Sequence, residues 1–248
     1  MLARPGVLVG LSPARRSAVI TKPQPVQRIP RMGALGRNAD VDVRALREKL
    51  RGQSGTFHCY VVRTVEWQDG EFVQTGSGPN FGGDLITLCT CKRQMRSRTT
   101  LAAWRDAWVA GFTSVGLVPG GPHVNYLVYL MKVGAAYASH RDLWNALTPA
   151  QQDAKAADIN PLGDVFRPRA PLGDWFDPRS YVPPSEDHVH CPDHYWLVDI
   201  NDPRHPPLLA GDRDFSFVWS QPVIAWRGLQ LPRDYKKRSL TEFLAGLG

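Results

Sequence analysis

Lys92-Arg93-Gln94-Met95-Arg96-Ser97-Arg98 sets four cations within seven residues, and no acid lies between Asp84 and Asp106. Arginine grips phosphate through paired hydrogen bonds and lysine acts on it as a point charge. Lys92, Arg93, Arg96 and Arg98 are therefore the candidate phosphate contacts. The chain also has eight Trp. A base stacked on one aromatic ring gains about 1–3 kcal/mol, so two rings hold a nucleotide with little help from charge. Trp108, Tyr129, Trp144 and Trp219 are the candidate pocket walls, although large aromatics serve as ordinary core more often than as ligand contacts.

Two further groupings suggest other chemistry. His188-Val189-His190-Cys191-Pro192-Asp193-His194 offers imidazole and thiolate ligands, and His188, His190, Cys191 and His194 form a possible zinc set. Its spacing matches no standard finger or ribbon, and the His-x-Glu and Pro-Cys-x-x-Cys signature of zinc deaminases is missing. No cofactor is required by the sequence; zinc is the one this set would take. Cys91 stands beside Lys92 and Arg93, whose charge favours a thiolate and makes it a candidate nucleophile. Asp164 is the carboxylate paired with it as a candidate general base, with Asp174, Asp177, Asp187, His58 and His123 as alternatives. No Gly-x-Ser-x-Gly elbow, Walker loop or dinucleotide fingerprint occurs.

These residues need elements to position them. Asp40 is the expected cap of a short helix over 41–50, with apolar residues at 43, 46 and 50. The aromatic and β-branched run 57–65 predicts a buried strand, and the turn Pro79-Asn80-Phe81-Gly82-Gly83 leads to another over 85–91. On that strand Cys89 and Cys91 would share a face. Trp104, Trp108 and Phe112 recur at four-residue steps, which reads as a helix running into a strand. Residues 126–133 predict the central strand, and Ser139 caps a helix through 147. The Pro- and Asp-rich stretch 148–194 reads as a long irregular loop region. Strands follow at 195–200, 215–219 and 223–226, with a final helix from Ser239. Short strands with few helices give an α+β class built on a small mixed β-barrel.

The run Thr87-Leu88-Cys89-Thr90-Cys91-Lys92 has a distinctive neighbourhood. It follows Tyr60-Val61-Val62-Arg63 and the Pro79 turn, and precedes Trp108-Val109-Ala110-Gly111 and Leu127-Val128-Tyr129-Leu130-Met131-Lys132-Val133. In this order the stretch resembles the second nucleotide modification associated domain family. Its pattern is a Pro-Asn-Pro-Phe-like turn, a Thr-Leu-Ala-Thr-Cys-Lys strand, a Gly-Asp-Trp-Val step and a Leu-Val-Tyr-Ala-Met-Lys-Val strand. Here Cys89 replaces Ala, and Asp106-Ala107 precedes Trp108-Val109 where the family has Gly-Asp. The likeness covers about residues 57–226 and implies a role in the setting of modified DNA bases. The order of step and strand is also similar to the PUA, ASCH and EVE barrels, which implies a PUA-like barrel accepting a single base.

Charge narrows the partners. Residues 1–53 hold eleven Lys or Arg against Asp40, Asp42 and Glu48, a balance of +8, whereas residues 54–248 hold nineteen against twenty acids, a balance of −1. The first 53 residues read as a basic, disordered leader with a short helix near its end, and 54–248 as a single globular domain. Met32 is an alternative start to Met1. Hydrophobic residues make up 43% of the chain, which excludes wholesale disorder. No apolar run approaches the roughly 18 residues a spanning helix needs, so no membrane partner is expected. Four Cys in this length suit a reducing compartment, hence a cytoplasmic protein. Three functions remain: a nucleotide- or modified-base-binding module, with nucleic acid or a nucleotide as partner; an enzyme of DNA-base hypermodification using Cys91 or a carboxylate; or a defence-system interaction protein.

Overall fold

The structure is a computed structural model that describes residues 26–29, 33–76, 78–156, 165, 167–169, 180–182, 206–226 and 235–247. In chain order the elements begin with β1 (Gln27–Arg28), α1 (Gly33–Gly36), α2 (Val43–Lys49), β2 (Thr56–Val61), β3 (Val65–Gln68) and β4 (Glu71–Gln74). A 3-10 turn at Gly82–Asp84 precedes β5 (Thr87–Leu88), α3 (Arg93–Ser97), α4 (Leu101–Trp104), β6 (Trp108–Phe112) and β7 (Asn125–Tyr137). The rest are α5 (His140–Ala146), α6 (Pro149–Ala156), β8 (Arg167–Pro168), β9 (Tyr181–Val182), β10 (Leu208–Val218), β11 (Ala225–Trp226), β12 (Lys236–Ser239) and α7 (Leu240–Ala245).

The architecture is α+β: a curled mixed sheet forms a half-barrel, with a few short helices against it. The main sheet runs β12-β2-β6-β7-β10-β5, with β11 also paired to β7. Among these strand pairs β2 and β6 run parallel and the rest antiparallel. A small sheet β1-β4-β3 and the pair β8-β9 stand apart from it.

Burial on both faces explains why β2, β6 and β7 read as near-continuous apolar runs. On one face Phe57, Cys59, Trp108, Ala110, Phe112, Leu127 and Leu130 pack with Leu46 and Leu50 of α2, with Phe217 and Trp219, and with Phe243 of α7. The opposite face carries Tyr60, Val109, Tyr129 and Met131 against Phe72, Phe81, Met95 and Trp104. Glycine at 111 is required by this second face. A Cβ there would lie 2.6 Å from Val62 Cγ2 and would collide with the Tyr129 ring.

Several local expectations change. The cap of α2 is Asp42, whose carboxylate accepts from Ala45 N at 2.7 Å. Asp40 instead adopts φ 49° and clamps the end of β10, accepting from Ser220 N at 2.7 Å and Ser220 Oγ at 2.9 Å. Leu46 and Leu50 of α2 share a core with Phe57 and Trp108. The stretch 148–194 contains α6, which starts at Pro149 because proline suits a first helical turn. The strand expected over 85–91 shortens to β5, leaving Cys89 and Cys91 beyond its end. The strand expected over 195–200 lies outside the described residues. Ser139 and Ser239 cap their helices as expected; Ser239 does so in a reciprocal capping box with Glu242.

Candidate functional site

The four cations of 92–98 separate into different jobs. Arg96 is 1% exposed. Its guanidinium donates to the carbonyls of Cys91 at 2.8 Å, Thr90 at 3.2 Å, Pro206 at 3.2 Å and Pro207 at 2.7 Å. A charge satisfied in this way stitches the β5–α3 connection to the start of β10, and Arg96 is committed to the fold. Lys92, in the left-handed region at φ 55°, is the first cap of α3 and places its ammonium 4.9 Å from the centre of the Tyr60 ring. Arg93 opens α3 and is half-buried. Arg98 is exposed and lies 5.6 Å from the centre of the Tyr235 ring, with Nη1 donating to the Tyr235 hydroxyl at 3.3 Å.

Between these two cation–ring pairs stands His58. Strand alternation puts it on the same face of β2 as Tyr60, two residues away. Its ring centre is 4.5 Å from that of Trp104 and 6.2 Å from that of Tyr235. Lys237 is its cross-strand partner on β12. Burial holds the imidazole pKa down at about 4, with help from the Lys237 charge, so it is neutral across the physiological range. Its Nδ1 is buried without a hydrogen bond. Among the described residues neither Arg98 nor Lys237 has an acidic partner. The result is a row of cations and rings along β2 and β12 beside α3 and α4: Lys92 over the buried Tyr60, then the buried His58, then the half-buried Tyr235 with the exposed Arg98 and Lys237.

The candidate aromatic walls do not converge. Tyr129 lies on the same face as Tyr60, whose hydroxyl is 2.7 Å from its own, and Phe81 meets it edge-on at 6.0 Å. Trp108 and Trp219 are fully buried on the opposite face, where their Nε1 atoms donate to the carbonyls of Ser54 at 3.0 Å and Val41 at 2.8 Å. They are core residues with their one polar atom satisfied. Trp144 is half-buried on α5 in a third cluster. Cys91 is half-buried and packs against the Tyr60 face, whereas Cys89 is buried in the third cluster, so the two do not share a face. Cys59 is buried on the Trp108 side with its thiol pushed up to about 12 by burial, which suits packing and not attack. Asp164 and the set His188, His190, Cys191 and His194 lie outside the described residues. Among the described residues no three His, Cys, Asp or Glu are grouped to hold a metal ion.

Tyr60, Tyr235 and Lys237 were not among the sequence candidates, although the signals were present. The alternation Phe57-His58-Cys59-Tyr60 puts His58 and Tyr60 on one face, and Tyr235-Lys236-Lys237-Arg238 interleaves a ring with cations. No family model, curated protein or solved structure matches this chain.

Proposed function

We propose that this chain is a nucleotide- or modified-base-binding module, with single-stranded nucleic acid or a nucleotide as its ligand. The observation that carries this reading is the exposed end of the cation–ring strip, where Arg98 lies over the half-buried Tyr235 with Lys237 beside them; Tyr60, under Lys92, is buried and belongs to the core. Rings that accept stacked bases, interleaved with cations that follow a phosphate backbone, are what binding of unpaired nucleotides requires. Lys92, Arg93, Arg98 and Lys237 supply the phosphate contacts; Arg96 holds the helix that presents the first three, and β12 presents Lys237. The motif resemblance supports a setting in DNA base modification. The separate likeness to PUA, ASCH and EVE barrels adds a PUA-like barrel to this proposal, and the low cysteine count adds a reducing, cytoplasmic setting.

Fluorescence anisotropy of labelled single-stranded oligonucleotides tests the reading. Binding that weakens on adding salt and on the double change Arg98→Ala, Lys237→Ala supports it. No anisotropy change at low salt with any oligonucleotide, plain or modified, removes it.

A further inference from the structure

We infer that the arginine face of α2 is a second phosphate-binding surface, reached by a nucleic-acid strand that passes from the cation–ring strip around the β12 edge. The inference rests on the nucleotide-binding reading and adds the course of the strand over the protein. Arg44, Arg47 and Arg51 stand at i, i+3 and i+7, and with Val43 and Glu48 they line an open groove of about 620 Å³. All three arginines are exposed. At 1.5 Å per residue the row is about 10 Å long, the axial length of about three phosphates along one stacked strand at 3.4 Å each. β12 joins this face to the strip. Lys237 lies on the strip side, and strand alternation turns Lys236 and Arg238 to the other face. There their cross-strand partners, Cys59 and Phe57, belong to the core that Leu46 and Leu50 of α2 complete. α7 follows directly, and its acid Glu242 is engaged in the Ser239 capping box.

The arginines are poorly placed for the helix alone. Arg44 sits in a first turn that holds no acid beyond the cap Asp42, and its charge opposes the helix dipole there. Arg44 with Arg47, and Arg47 with Arg51, are like charges at neighbouring positions of one face, which destabilises a helix. The one acid in the row, Glu48, is paired with Arg51, and among the described residues Arg44 has no acidic partner. Arg47 is anchored through Nη2, which donates to the carbonyls of Leu244 at 3.2 Å and Leu247 at 2.5 Å and so fixes the fork at the end of α7. A phosphate set among these guanidiniums relieves the repulsion through charge-assisted hydrogen bonds, and local placements that oppose the fold are expected where a surface serves a ligand.

The experiment measures the salt dependence of affinity for labelled dT5 and dT20 oligonucleotides with wild type, the double change Arg44→Ala, Arg51→Ala, and Glu48→Gln. The strip alone holds the shorter strand, and only the longer one reaches α2. Wild type is expected to show a slope steeper for dT20 than for dT5 by about 2, from three further phosphates at about 0.7 each. The double change should flatten the dT20 slope by about 1.4 and leave dT5 unchanged. Glu48→Gln, which removes the one acid from the row, should tighten dT20 binding. Equal slopes for the two lengths in wild type, or a dT20 slope untouched by the double change, overturn the inference and leave the nucleotide-binding reading standing. An equal loss for dT5 and dT20 does the same. A labelled poly-glutamate peptide that binds wild type but not the double variant, with dT20 binding intact, assigns the face to an acidic protein and also overturns it. Should circular dichroism show the double variant unfolded, Glu48→Gln decides, and unchanged dT20 affinity overturns the inference. Absence of any oligonucleotide binding by wild type overturns the nucleotide-binding reading, and this inference with it.

Discussion

Acid should destabilise this protein through His58, and the size of the effect follows from its surroundings. Folded, the imidazole is held down at about 4, first by burial and then by Lys237. Unfolded, it titrates near 6.5. Between those two values the unfolded chain carries a proton at His58 that the folded chain refuses, so stability falls as pH drops through the window. A fall from 6.5 to about 4 converts, at 1.36 kcal/mol per pH unit, to about 3 kcal/mol lost by pH 4. The contribution is fully present above pH 6.5 and absent below about 4. Urea unfolding at a series of pH values, for wild type and for His58→Gln, isolates the term, because carboxylates common to both cancel in the difference. The wild-type curve should fall more steeply than the variant's between pH 6.5 and 4 by about that amount. Parallel curves would show that His58 protonates freely in the folded state, and the claim of a sequestered neutral imidazole would be lost.

Two other substitutions test the assignments. Arg96→Met strips the donor from four carbonyls and should cost about 3–5 kcal/mol in urea unfolding; a stable variant with weakened nucleotide binding would return Arg96 to the phosphate contacts. Gln74, fully buried opposite Gln27, has both carboxamide atoms without a partner. Gln74→Leu should therefore raise stability by about 1–2 kcal/mol, seen as a melting temperature higher by a few degrees; a lower one contradicts the orphaned state.

The sequence made the sheet's centre legible and hid its edges. Residues 126–133 announced β7 because both faces of that strand are buried, which leaves an apolar run without polar interruption. The caps at Ser139 and Ser239 were visible because capping is a local affair between a side chain and the next turn. Asp40 misled for the same reason: Asp40 and Asp42 are both plausible caps, and only the distant Ser220 decides which one the helix uses. Arg96 looked like its neighbours Arg93 and Arg98, since four adjacent cations carry no mark of which will be buried. Its fate depends on Pro206 and Pro207, more than a hundred residues away. The Trp candidates failed through strand parity: Trp108 and Tyr129 lie on opposite faces once β6 and β7 pair through Gly111↔Tyr129.

The cation–ring strip is tested most directly by the salt dependence of single-stranded DNA binding, measured for wild type and for Arg98→Ala. If Lys92, Arg93, Arg98 and Lys237 each neutralise one phosphate, the logarithm of the affinity falls against the logarithm of salt with a slope of about −3. Losing Arg98 should flatten that slope by about 0.7. Equal slopes for the two proteins, or an affinity indifferent to salt, would contradict it.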